Sequence, residues 1–402
     1  MDITTVWEDL AWEQGGKIVY LILDGLGGLP DPEQGGTELQ VAHTPHLDQL
    51  AQSSSCGLLE MVGPGITPGS GPGHLTLFGY DPLQYRIGRG VLAALGIGFD
   101  LKPGDIAARV NFATLDSAGK VCDRRAGRIA TDDNQQICQR IREQVNLAVD
   151  YYFETVSEHR AVLVLRGTGL RGEIQDTDPQ QTGRSPLPPK AQHPEAEQTA
   201  AHVGAFLEQV QRILNHEESA NTILLRGFEQ YQPLPSLVDR FKLRGICLAD
   251  YPMYRGVSRL IGMDVPPPPG GLQGRFEGLK HHYGADYDFY FLHVKQSDSR
   301  GEDSDFEAKV AAIEAFDQLL PIALSLNPEV LVVASDHSTP ATMGQHSWHP
   351  VPVLIHSPYV RADPVKHFDE FACLQGSLGQ RPGLDLMGLA LAHAGRLKKY
   401  GA

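Results

Sequence analysis

The sequence predicts an α/β protein, with a mostly parallel sheet, helices on both its faces, and a smaller α/β lobe inserted into it. Three observations predict this. Near-continuous apolar runs recur and several close on an acid, a long helical repeat lies between two of them, and the middle of the chain changes character.

The first run, KIVYLILD at 17–24, is apolar at almost every position and ends in Asp24. A strand buried on both faces reads this way, and such strands belong to parallel sheets. DYDFYFLHVK at 286–295, EVLVVASD at 329–336 and VPVLIHS at 351–357 repeat the pattern. Between them Phe306, Val310, Ile313, Phe316, Leu319 and Leu320 recur at helical spacing across 306–324. Strands alternating with helices give a sheet covered on both sides. Sites in such sheets gather beyond the carboxyl ends of the strands. Asp24, Asp298 and the pair Asp336–His337 stand at or just past three such ends.

The block from 102 to 231 differs. AVLVLRG at 161–167 and TILLRG at 222–227 read as further strands, 195–215 as a long helix, and DTDPQQTGRSPLPPKAQHP at 176–194 as loop. Acid-ended strands flank this block on both sides. It is therefore expected to be a second domain, inserted into a core made of residues 1–101 and 232–402. VPPPPGG at 265–271 reads as a stiff surface loop.

With 402 residues the chain is long enough for two cores. A net charge of −15, with the acids dispersed, argues against nucleic-acid binding. It leaves room for a small anionic substrate, because divalent cations and a few arginines reverse the field inside one cleft. The N-terminal MDITTVWEDLAWEQGG has no basic or apolar leader character, and no apolar run approaches the roughly 20 residues that span a bilayer. Five scattered cysteines without a CxxC pair suit a reducing compartment, so a cytoplasmic protein without a membrane partner is expected. Nothing in the sequence fixes an oligomeric state.

Ser70 lies in PGITPGSGPGHLTLFGYDP, with an apolar helical pattern starting just after it. A helix N-terminus favours a phosphate, but a serine hydroxyl needs a base or a metal to become a nucleophile. Taken alone, Ser70 reads equally as a cap in a glycine-rich turn. The acids and histidines add weight to the chemical reading. Asp298, Glu302 and His346 make one set of ligands for a divalent cation. Asp24, Asp336 and His337 make a second, which Ser70 could complete. Two such ions can stabilise the entering and leaving oxygens of a phosphoryl group in line. DRRAGRI at 123–129 offers Arg124, Arg125 and Arg128, whose forks match phosphate and carboxylate oxygens. Arg166 and Arg226 each follow an apolar run in the inserted block, and Arg255 follows another strand candidate. His74 reads as helix packing or a substrate contact, and Lys295 as a structural ion pair.

These segments resemble the archaeal-type branch of the 2,3-bisphosphoglycerate-independent phosphoglycerate mutases, within the alkaline-phosphatase superfamily. The resemblance rests on DGLGGLP at 24–30, TPHLDQLA at 44–51, PGSGPGHLTLFGYDP at 68–82 and GRGVLAALGIGFDLKPGDIAARVNFATLD at 88–116. It continues through DRRAGRI, LLRG at 224–227, HVKQSDSRGED at 293–303, VVASDHSTP at 332–340 and HSWHPVPVLI at 346–355. It implies an alkaline-phosphatase-like core bearing two divalent ions, Mn²⁺ first with Mg²⁺ or Zn²⁺ as alternatives, and no need for 2,3-bisphosphoglycerate. Ser70 would carry the phosphoryl group between the two hydroxyls of a small phosphorylated acid. Asp24, Ser70, Asp336 and His337 would hold one ion, Asp298 and His346 the other, and the arginines of DRRAGRI would clamp substrate anions. The chain departs from the pattern in three places. D-x-x-G-H reads Asp298-Ser-Arg-Gly301-Glu302, D-G-x-G-D ends in Gly28, and the acid often found after the nucleophile is Gly71. A phosphohydrolase using the same phosphoserine, or a metal-binding protein without turnover, are the alternatives. A large arginine-bearing lobe that closes around a small acid favours the mutase.

Overall fold

A computed structural model describes residues 2–401. The chain divides into two compact units: residues 1–86 with 235–402 form a core, and residues 87–234 form an insertion.

The core is built on a seven-stranded sheet in the order Gly379–Pro382, Ser55–Glu60, Val351–His356, Val330–Ala334, Ile18–Leu23, Phe289–Val294, Gly245–Leu248. Its central strands are parallel, with Ile18 opposite both Val330 and Phe289. Val351–His356 runs against both its neighbours. Every residue of Ile18–Leu23, Phe289–Val294 and Val330–Ala334 is buried, which is why these strands read as unbroken apolar runs. Alternate side chains serve the two faces. Val19, Leu21, Leu23, Tyr290, Leu292, Leu331 and Val333 meet Ile313, Phe316 and Leu320 of helix Phe306–Leu324 and Phe276 and Leu279 of helix Gly271–His282. On the opposite face Phe289 and Phe291 meet Phe78 edge-on, and Tyr20 meets Phe289 edge-on.

The insertion carries its own sheet, and every pairing in it is antiparallel. Strand Ile106–Leu115 lies between Arg160–Arg166 and Thr222–Gln230, with Asp150–Ser157 beyond and Val121–Asp123 at one end. Ile106, Ala108, Val110 and Phe112 pack with Ile137 and Ile141 of helix Thr131–Gln144 and with Val203, Phe206 and Val210 of helix Glu197–Leu214. The unit starts earlier in the chain than residue 102. Helix Arg89–Gly96 packs on Ile106–Leu115, and a Cβ on Gly90 would run into the Ala107 backbone. The sheet also holds two strands, Ile106–Leu115 and Asp150–Ser157, whose polar residues hid them from a search for apolar runs.

Candidate metal centre

Strand register brings the distant acids together. Leu23 is paired with Val294, and Ile22 with Ala334, so the residues that follow each strand emerge side by side. Asp24 follows the first directly. After the second comes Lys295, then helix Gln296–Glu302 carrying Asp298; after the third come Ser335, Asp336 and His337. All three aspartates and His337 are fully buried.

Ser70 is the first residue of helix Ser70–Leu77, capped by Gly69 without a side-chain bond. The serine is therefore not the cap itself, and its hydroxyl is free to point elsewhere. Its Oγ lies 3.2 Å from His337 Nε2. The helix comes this close because Gly73 faces the Asp336 carbonyl, where any Cβ would collide. His74 is fully buried behind Ser70, its Nδ1 donating to the Ser70 carbonyl at 2.8 Å, so it packs behind the site and does not face solvent.

Hydrogen bonding assigns the proton on His337. The Thr339 hydroxyl donates its one proton to Asp298 Oδ1 at 2.6 Å, so it accepts from His337 Nδ1 at 3.0 Å. In the neutral imidazole Nε2 is then bare, and it faces Ser70 Oγ, Asp24 Oδ1 at 3.1 Å and Asp336 Oδ2 at 3.3 Å. A lone pair against two carboxylate oxygens is repulsive unless a cation lies among them. His346 is arranged in the same way. Its Nδ1 donates to the Pro68 carbonyl at 3.1 Å, and its Nε2 faces Asp298 Oδ1 at 3.4 Å and Glu302 Oε1 at 3.6 Å. Imidazoles that ligate metals commonly give their other N–H to such a partner. The two rings stack at 3.6 Å. Asp24 Oδ1 and Asp336 Oδ2 are buried without a hydrogen-bond partner.

The ligand atoms of Asp24, Asp336 and His337 lie within 4.8 Å of one another, and so do those of Asp298, His337 and His346. The donor set is therefore one that divalent ions fit. Glu302 stands at the rim, its side chain 54% exposed, and reaches the group only through His346. Burial opposes charge on Asp24, yet Lys295 first and then His293 hold its carboxyl well below its usual range. Burial and then the repulsion of Asp24 push Asp336 far upward. Burial also opposes charge on His346, but Glu302 and Asp298 offset it and raise its pKa to about 9, so without an ion its Nε2 keeps a proton that a metal would displace. Lys295 lies between the acid sets, 3.3 Å from Asp24 Oδ2 and paired with Asp298. It is the ion pair the sequence suggested, but inside the site.

Two neighbours escaped the sequence reading. The Tyr254 hydroxyl donates to Asp24 Oδ2, and His293 lies 3.3 Å from that oxygen with its ring stacked on Tyr254. His293 left a signal, a lone imidazole within the apolar strand Phe289–Val294.

The predicted arginines fall into two groups. In the insertion, Arg124 is bidentate to Asp178 at 3.1 and 2.7 Å, and Arg226 lies 3.6 Å from the same carboxylate. Arg226 also stands directly opposite Arg109, on the sheet face turned away from the hydrophobic core. Like charges directly opposite on a sheet are destabilising, which marks Arg109 as a residue the sequence reading missed. Arg125 and Arg128 belong to a turn in which Asp123 accepts from the Arg125 and Gly127 backbone. Ala126, Gly127 and Arg128 there are successively left-handed. Such strain in non-glycine residues gathers at ligand clamps. The structure does not bring Arg166 or Arg255 into these groups. Arg166 is held by Asp105 at 2.8 and 2.7 Å and lies over the Tyr152 ring. Arg255 is buried in the core unit, donating to the Ala249 carbonyl at 3.1 Å.

Residues 51–220 match the family model described as 2,3-bisphosphoglycerate-independent phosphoglycerate mutase. A relative in Thermus thermophilus, named a probable 2,3-bisphosphoglycerate-independent phosphoglycerate mutase, is 48% identical over 407 residues and covers 100% of both chains. The chain belongs to this family. A Deinococcus radiodurans relative of the same name is 47% identical over 411 residues, again over 100% of both chains. Among solved structures, the cofactor-independent phosphoglycerate mutase of Thermoplasma acidophilum DSM 1728 is 29% identical with a TM-score of 0.70, covering 94% of this chain and 100% of that one.

Proposed function

We propose that the chain interconverts 3-phosphoglycerate and 2-phosphoglycerate through a phosphoserine at Ser70, without 2,3-bisphosphoglycerate. The observation that carries this is Ser70 Oγ at a helix N-terminus, 3.2 Å from the bare nitrogen of a histidine flanked by buried carboxylates.

Asp24, Ser70, Asp336 and His337 would hold one divalent ion, and Asp298 and His346 the other, with Glu302 as an outer ligand. Bound Mn²⁺ would supply charge for the phosphoryl oxygens and lower the pKa of the Ser70 hydroxyl. Ser70 then attacks phosphorus, the phosphate–glycerate bond breaks, and the glycerate turns so that its other hydroxyl takes the group back. The backbone N–H groups opening helix Ser70–Leu77 face the phosphoryl oxygens on the serine. Tyr254 and His293 keep Asp24 oriented. Arg124, Arg125, Arg128 and Arg226 of the insertion receive the carboxylate and phosphate of the substrate, with Asp178 holding Arg124 and Arg226 until an anion replaces it. The division of labour follows the chain: a metal-bearing core and an inserted substrate-binding domain. A soluble, cytoplasmic enzyme fits this role, and no helix among the described residues is long and apolar enough to cross a membrane.

Purified protein with Mn²⁺ and 3-phosphoglycerate should yield 2-phosphoglycerate without free phosphate, and Ser70→Ala should yield neither. Release of stoichiometric phosphate would make the protein a hydrolase instead.

A further inference from the structure

Gly28 closes the Gly25–Gly28 turn, four residues after Asp24. The backbone does not require glycine there, since Gly28 is not among the residues of positive φ. Space requires it. A Cβ on Gly28 would collide with the carboxylate of Glu38, whose Oε2 is buried, has no hydrogen-bond partner and is aimed at that spot. We propose that the Glu38 carboxylate occupies, from further along the chain, the space a side chain at position 28 would fill. With Lys309 it forms a positioning pair that holds the two loops carrying Asp24, Asp336 and His337.

The contacts support such a role. Glu38 and Lys309 are both fully buried and 3.4 Å apart. Glu38 opens helix Glu38–Val41, yet its Oε1 turns away from that helix and accepts from the Ala341 backbone at 2.7 Å. Lys309 donates to the Gly27 carbonyl at 3.2 Å and the Thr339 carbonyl at 2.8 Å, so one ammonium ties the loop after Asp24 to the loop after His337. Thr339 is the residue whose hydroxyl orients both Asp298 and His337. Glu370 closes the group, accepting from the Gly28 backbone at 2.7 Å and the Thr37 hydroxyl at 2.7 Å. A buried ion pair is a poor source of stability, because desolvating two charges offsets their attraction. What this pair provides is fixed geometry. Neither side chain is among the metal ligands, and their effect on the centre passes through Thr339 and the Gly25–Gly28 turn. The inference rests on the two-metal reading of the site.

An exchange of acids tests it, using the full chain stripped of metal and checked for native circular dichroism. Mn²⁺ affinity by calorimetry should fall about tenfold or more in Glu38→Ala, the usual cost of removing a partner behind metal ligands. Gly28→Asp alone should also be impaired, because two carboxylates then share one space. The double variant Gly28→Asp/Glu38→Ala should recover most of the affinity and the melting temperature. Wild-type affinity in Glu38→Ala, or a double variant no better than Glu38→Ala, would overturn the proposal. Wild-type protein that binds no Mn²⁺ would instead sink the two-metal reading. The melting temperatures of the metal-free variants would then decide the exchange of acids by themselves.

Discussion

A single proton on Thr339 sets the chemistry of His337. Because that proton goes to Asp298, the imidazole must donate from Nδ1, and in its neutral form Nε2 is the nitrogen left bare beside Ser70. Replacing the Ser70 hydroxyl removes the proposed phosphoryl acceptor and little else, since the side chain makes no cap bond. Ser70→Ala should therefore lower kcat by at least about a thousandfold with the unfolding midpoint nearly unchanged, as coupled-assay kinetics and calorimetry would record. Glu302→His should shift the metal preference from Mn²⁺ toward Zn²⁺ in competition titrations, because imidazole suits the softer ion. An unaltered preference would place Glu302 outside the coordination sphere. At this scale the sequence was informative where a candidate ligand follows a buried strand: Asp24 and Asp336 both end apolar runs, and the fold brings them together. It was silent where a partner comes from a remote segment without a pattern of its own. Tyr254, Glu38 and Lys309 look like ordinary helix residues until the fold brings them to Asp24 and Gly28.

Three neighbouring strands do most of the positioning, and helices lock their ends. Helix Pro45–Ala51 begins at Thr44, which makes no side-chain cap bond. Its first N–H groups are instead satisfied by Asp317 of helix Phe306–Leu324, which accepts from Leu47 at 2.7 Å and His46 at 3.2 Å. Asp317→Ala leaves buried donors unpaired and should destabilise the core by about 1–3 kcal/mol in denaturant titrations. Gly73→Ala pushes helix Ser70–Leu77 away from the Asp336 carbonyl and moves Ser70 with it. About a hundredfold in kcat should follow, since small displacements of a nucleophile are costly. The four core strands named from the sequence all exist, because burial on both faces leaves no polar alternation to obscure them. The reversed direction of Val351–His356 was not legible, because an apolar run has no polarity of its own. The half-polar strands of the insertion were lost for the opposite reason.

Two units with separate cores respond separately to their surroundings. Mn²⁺ at about a hundred times its dissociation constant should stabilise the metal-bearing core by about 2.7 kcal/mol and leave the insertion's transition in place. Differential scanning calorimetry with and without chelator reads this directly. The insertion has a titration of its own. Burial first, then the charges of Arg160, Arg109, Arg125 and Arg128, lower the pKa of His159 to about 4. In the unfolded chain the same imidazole titrates near 6.5, so below that pH the unfolded state binds the extra proton. Stability of the insertion is thus complete above about pH 6.5 and declines as the pH falls toward 4, and His159→Gln should flatten that decline. An equal slope in the variant would assign the acid sensitivity elsewhere. The discontinuous core has a consequence for synthesis. Strand Ile18–Leu23 is made before the insertion, yet the two strands it pairs with, Phe289–Val294 and Val330–Ala334, leave the ribosome only after the insertion is complete. A nascent chain therefore carries Asp24 and Ser70 through the whole synthesis of the insertion without His337 and His346, so the proposed centre cannot assemble on a half-made chain.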